Sequence, residues 1–202
     1  YLAPAGHGAD ELFLGRCILE GSKPGAAAAA VWLSHRVLPL DERGYGHLIA
    51  RTVAGAHRLH AALGATELGG FRAVTLPLPD LNIVCFAVTH PGIGSLRELN
   101  ALNEGIYERM SVRPGKVAPE YILTRTRLQS PMYDGAVDAI INALGACRVE
   151  DWKAARGEGL VVLRATVMDP FLAEHDGGVD HVAGFVAAVG RAAEAVGGVV
   201  RE

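Results

Sequence analysis

From Phe71 onward the chain alternates between short apolar segments of strand character and segments with the 3.6-residue period of helices, and this order limits the available folds more than any single motif does. Residues 71–76 and 81–88 read as strands flanking the turn Pro77-Leu78-Pro79-Asp80. Leu96, Leu99, Leu102, Ile106 and Met110 then recur at helical spacing, and Ser95 with Glu98 three positions on has the pattern of a capping box. Residues 121–128 predict a strand, 135–144 a helix, 160–167 a strand and 179–196 a terminal helix. The series predicts a small α+β domain with helices on one face of a mixed or antiparallel sheet.

The earlier part of the chain reads differently. Pro24 suits a first helical turn, where the N–H it lacks would have no partner in any case, and the alanine run from Ala26 continues as a helix through Leu33. Between Asp41 and Leu63, Tyr45, Leu48, Ile49, Val53, Ala56, Leu59 and Leu63 fall at helical spacing, which predicts one long amphipathic helix ending near Gly64. The break at 64–70 divides the chain into residues 1–64 and 65–202, with the long helix as a bridge.

Composition narrows the function classes. The chain has 202 residues, 50% of them hydrophobic and 20% charged, which is enough for a sizeable core. A formal charge of −3 without a basic block argues against nucleic acid or an anionic membrane surface as partner. No stretch is long and apolar enough for a membrane span. The cysteines Cys17, Cys85 and Cys147 are scattered and odd in number, matching neither a disulfide framework nor a metal motif, so a cytoplasmic location is expected. The start at Tyr1 suggests a fragment.

Few residues point to chemistry on their own. His57 and His60 lie three apart on the long helix, and His35 and His47 on helical segments, but no HExxH or paired Cys/His spacing accompanies them. A solvated helix surface is the expected reading, and no metal is expected. There is no GxSxG turn for a serine nucleophile. Ser22, after Gly21 and before a helix, suits either a helix cap or a hydroxyl and backbone cradle for phosphate. Ser130-Pro131 suits either a helix N-terminus with proline at its first position or a hydroxyl facing a site. Arg125 and Arg127 share a strand face with Leu123 rather than an acidic partner, and are either solvated or lining an anionic site.

Three blocks carry a resemblance. The first runs from Ile18-Leu19-Glu20-Gly21-Ser22-Lys23-Pro24-Gly25 through the alanines to Val31-Trp32, His35, Val37-Leu38-Pro39-Leu40 and Gly44-Tyr45-Gly46. The second is Asp80-Leu81-Asn82-Ile83-Val84 with Leu99-Asn100-Ala101-Leu102-Asn103, and the third is Val162-Leu163-Arg164-Ala165-Thr166-Val167-Met168-Asp169-Pro170-Phe171. In order and spacing they resemble the C-terminal portion of the group II pyridoxal-phosphate-dependent amino-acid decarboxylases, most closely the bacterial tyrosine decarboxylases, although 103–128 is shorter than in those enzymes.

The resemblance implies an α/β protein in which residues 1 to about 60 end a large cofactor-binding domain of aspartate-aminotransferase type and 65–202 form its small α+β domain. It implies a His-Lys pair upstream of Tyr1, the lysine holding pyridoxal 5'-phosphate; Lys23, Lys116 and Lys153 do not follow a histidine. No catalytic residue is then expected in this chain, which alone is expected to be inactive. Gly21 and Ser22 are expected to approach the cofactor phosphate of the neighbouring subunit in a homodimer, and Ser130 to face the phenol end of the amino-acid substrate. Two other expectations stand beside it. One is a non-catalytic interaction or ligand-sensing domain. The other is a decarboxylase for glutamate, aspartate or diaminobutyrate, for which Arg125 or Arg127 would matter.

Overall fold

A computed structural model of the protein describes residues 25–115, 117–155, 157–172 and 178–198. The chain forms two compact units, Tyr1–Tyr45 and Gly46–Glu202.

In the first unit, α1 (Gly25–Val37) has no buried residue and carries exposed Val31, Trp32 and Leu33. After it, the Tyr45 N–H donates to the Pro39 carbonyl at 2.8 Å. A Cβ on Gly44 would lie 2.1 Å from that same oxygen, so the Pro39…Gly44-Tyr45 spacing of the first block serves a tight backbone approach that a larger residue would prevent.

The second unit contains α2 (Tyr45–Ala65), β1 (Glu67–Leu68), β2 (Phe71–Thr75), β3 (Ile83–Thr89), α3 (Leu96–Arg109), β4 (Thr124–Leu128), α4 (Asp138–Leu144), α5 (Val149–Ala154), β5 (Leu160–Thr166) and α6 (His181–Gly197). The strands form one sheet in the order β1-β2-β3-β5-β4, every neighbouring pair antiparallel. Strand alternation sends Ala73, Val84, Phe86, Val88, Leu163 and Ala165 to one face, where Ala56, Leu59 and Leu63 of α2 and Val182, Phe185, Val186 and Val189 of α6 pack on them. Ala87, Leu128, Leu160 and Val162 go to the other face, beneath Ile140, Ile141 and Leu144 of α4 and Trp152 of α5.

Helices therefore cover both faces, which corrects the expectation of a single helical layer. β3 and β5 are buried on both sides, and the sequence shows it as continuous apolar runs rather than as alternation. The helix expected over 135–144 begins only at Asp138, because 131–137 is a series of turns. The long helix begins at Tyr45 rather than Asp41, and α5 and the two-residue β1 are additions the pattern did not reveal.

One arrangement organises the sheet. The β3–β5 pairing runs from Ile83↔Thr166 to Phe86↔Leu163, and beyond Phe86 the two strands bond to side chains of α3 instead. Asn103 accepts from the Val88 N–H at 2.8 Å and donates to the Val88 carbonyl at 2.9 Å and the Leu99 carbonyl at 2.8 Å. Asn100 accepts from the Val161 N–H at 2.9 Å and donates to the Gly159 carbonyl at 2.8 Å. Both amides are buried. A carboxamide offers the same donor and acceptor pair as a peptide group, so α3 enters the fork without leaving buried backbone unpaired. This is the physical content of the Leu99-Asn100-Ala101-Leu102-Asn103 block.

Candidate functional site

Gly21 and Ser22 lie outside the described residues. Ser130 lies within them. It is half-buried just beyond the end of β4, and its peptide bond to Pro131 is cis. Proline here does not open a helix; Ser130-Pro131 leads into the turns of 131–137, which corrects the helix N-terminus reading. The segment is held at its base: Gln129 Nε2 donates to the Gly157 carbonyl at 3.1 Å and the Tyr133 N–H to the Gln129 carbonyl at 3.1 Å. Gly159 faces it with φ +64, and a Cβ there would come within 2.9 Å of both Gln129 Cγ and the Leu128 carbonyl oxygen. Ser130 is thus placed by backbone contacts from the approach to β5.

Arg125 and Arg127 do share a strand face, as the spacing requires, but an acidic partner meets them there. Glu104 Oε1, from α3, accepts from Arg125 Nη1 at 2.5 Å and from Arg127 Nη2 at 2.8 Å. Arg125 also lies 4.7 Å over the Tyr107 ring, and Arg127 Nη1 donates to the Glu158 carbonyl at 2.7 Å. The sequence reading missed Glu104 because it comes from another element, 21 and 23 residues away. With one carboxylate already between them, these arginines are not vacant for an acidic substrate.

The helical histidines also acquire roles that spacing did not show. His57 Nε2 donates to the Pro79 carbonyl at 2.9 Å and His60 Nε2 to the Leu76 carbonyl at 2.8 Å. Both rings are half-buried, so the solvated reading gives way to a structural one: α2 holds the β2–β3 turn through two imidazoles. Among the described residues no group of three or more His, Cys, Asp or Glu side chains is placed to hold a metal ion, and no described helix is long and apolar enough to cross a membrane.

The second face of the sheet has a polar end. Cys85, Arg164 and Thr124 are Cα partners on β3, β5 and β4. Arg164 Nε donates to Thr124 Oγ1 at 3.1 Å, and its terminal nitrogens have no acceptor among the described residues. A guanidinium held at Nε with its fork open is shaped for a carboxylate or phosphate. The signal in the sequence was one arginine inside the apolar run Leu160-Val161-Val162-Leu163-Arg164-Ala165. Burial raises the Cys85 thiol above its ordinary pKa, and Arg164 opposes this only in part. Ser130 belongs to the opposite end of β4: Thr124 and Leu128 are about 13 Å apart along the strand, and Ser130 lies beyond Leu128.

Lys153 is the one lysine among the described residues. Its Nζ donates to Asp138 Oδ2 at 3.0 Å, and this carboxylate raises its pKa. The ion pair ties this ammonium to a carboxylate of the same domain.

These residues lie inside a recognisable sequence family. The family model described as Tyrosine decarboxylase, C-terminal, matches residues 56–192. The chain belongs to that family. The L-tyrosine decarboxylase of Levilactobacillus brevis is 39% identical to it over 168 residues, which cover 81% of this chain and 26% of that protein. The L-tyrosine decarboxylases of Enterococcus faecalis and Enterococcus faecium are 37% and 36% identical over 164 residues, 79% of this chain and 26% of each relative. The tyrosine decarboxylase C-terminal match thus runs from the middle of α2 through most of α6, including the asparagine-bridged fork, and the chain spans about a quarter of the length of the curated relatives it matches.

Proposed function

We propose that this chain is the C-terminal part of a pyridoxal-phosphate-dependent L-amino-acid decarboxylase that converts an aromatic amino acid of the tyrosine type to its amine and CO₂. The observation that carries the proposal is the family match over 56–192, with L-tyrosine decarboxylases at 36–39% identity. The occupation of Arg125 and Arg127 by Glu104 favours an aromatic over an acidic substrate, because a second carboxylate would have to displace the first.

The bound cofactor supplies an electron sink for the pair released when CO₂ leaves the α-carbon. In this reading the lysine that holds it lies outside residues 1–202, because none of Lys23, Lys116 and Lys153 follows a histidine. In this reading residues 1–64 complete a large cofactor-binding domain, and Gly21 and Ser22 reach the cofactor phosphate of the neighbouring subunit of a cytoplasmic homodimer. Ser130 turns its hydroxyl to the substrate's phenol end. The domain formed by 65–202 walls the site and keeps water from it. Residues 1–202 by themselves are inactive.

The test uses the longer protein encoded with this segment, supplied with pyridoxal phosphate. CO₂ release is measured from L-tyrosine, L-glutamate, L-aspartate and L-2,4-diaminobutyrate. Preference for tyrosine supports the proposal. Absence of cofactor binding, or a preference for one of the other three, overturns it.

A further inference from the structure

The segment after Ser130 carries side chains that turn chemistry does not call for. Turns at a surface favour Gly, Pro, Asn, Asp and Ser, and here Pro131, Asp134 and Gly135, with φ +80, meet that demand. Between them stand Met132, 80% exposed, and Tyr133, 38% exposed. The segment runs between two buried anchors, Leu128 and Val137. Besides the two contacts at its base, the Asp134 N–H donates to the Pro131 carbonyl at 3.3 Å and the Val137 N–H to the Tyr133 carbonyl at 3.2 Å. The two large side chains are therefore presented by a hydrogen-bonded turn.

We infer that Met132 and Tyr133 form the apolar wall against which the aromatic ring of the substrate packs, beside the hydroxyl of Ser130. The inference rests on the proposed placement of Ser130 at the substrate. A polarizable thioether makes favourable contact with aromatic rings, and a tyrosine ring adds offset or edge contacts. An adjacent serine hydroxyl donates to or accepts from a phenol oxygen. That set matches a ring bearing one hydroxyl. The only charged side chain on 129–137 is Asp134, which repels a second carboxylate and so disfavours acidic substrates.

The experiment compares Met132→Ala, Tyr133→Ala, Tyr133→Phe and Ser130→Ala in the full-length protein loaded with pyridoxal phosphate. Values of kcat/KM are measured for L-tyrosine and L-phenylalanine, alongside thermal midpoint and sedimentation. Met132→Ala and Tyr133→Ala are expected to lower kcat/KM for both substrates about tenfold or more, because both lose ring contact. Tyr133→Phe keeps the ring and is expected to stay within about threefold of the parent, while Ser130→Ala lowers the tyrosine-to-phenylalanine ratio. Midpoint and association state stay unchanged. If the parent decarboxylates tyrosine and both alanine variants remain within about twofold of it, the inference is overturned and the proposed function stands. An altered association state with unchanged kcat/KM assigns the turn to a subunit contact and also overturns the inference. A parent inactive on aromatic amino acids removes both.

Discussion

Asn103 is the residue with most at stake in this fold. It is fully buried and satisfies both the N–H and the carbonyl of Val88. Replacing it by alanine leaves two backbone groups without partners where water does not reach. Asn103→Ala is expected to destabilise the domain by about 2–4 kcal/mol, read as a lower denaturant midpoint with an unchanged slope. Cys85 offers a test of a different kind. Its raised pKa keeps it a thiol at neutral pH, and the thiolate is the reactive form. Alkylation at Cys85, followed by peptide mapping, is expected to be slower than for a free cysteine at neutral pH and to accelerate only as the solution becomes clearly alkaline. Fast labelling at neutral pH would contradict the burial assigned to it.

Among the elements, α3 shows how a short pattern becomes a defined start. Ser95 accepts from the Glu98 N–H at 3.2 Å, as the capping-box spacing predicts, but the Glu98 carboxylate accepts from Gly94 at 2.9 Å rather than from Ser95 itself. Ser95→Ala is expected to cost about 1 kcal/mol, measured by thermal or denaturant unfolding. In α5, Arg148 donates to Asp151 through Nε at 3.0 Å and holds its carboxyl below the ordinary pKa. A carboxylate depressed in this way adds stability above its ordinary pKa, and that contribution disappears as the pH falls through the folded-state value. Both side chains are well exposed, which limits the effect. Arg148→Ala should lower stability slightly at neutral pH and leave it unchanged below the folded-state pKa of Asp151, so that the acid limb of the stability profile becomes slightly shallower. An equal loss at every pH would indicate a packing role for the arginine instead.

For the whole molecule, every residue of both apolar clusters lies in Gly46–Glu202. A chain comprising Gly46–Glu202 is therefore expected to unfold in one cooperative transition, checked by coincidence of circular dichroism and tryptophan fluorescence from buried Trp152. Non-coincident transitions would show that the core needs residues outside this unit. Much of the architecture was legible in advance because element type is a local property. Helical period, short apolar runs and capping residues act within a few positions, so α3, β3, β5 and α6 and the strand-helix order could be read directly, and the ordered blocks pointed to the family that the match over 56–192 shows. The partners of polar side chains depend on which distant segments meet. Glu104 with the two arginines, His57 and His60 with the β2–β3 turn, and Asn100 with Val161 join positions 16 to 61 residues apart. Only the assembled sheet, with helices on both faces and α3 in its fork, determined those pairings.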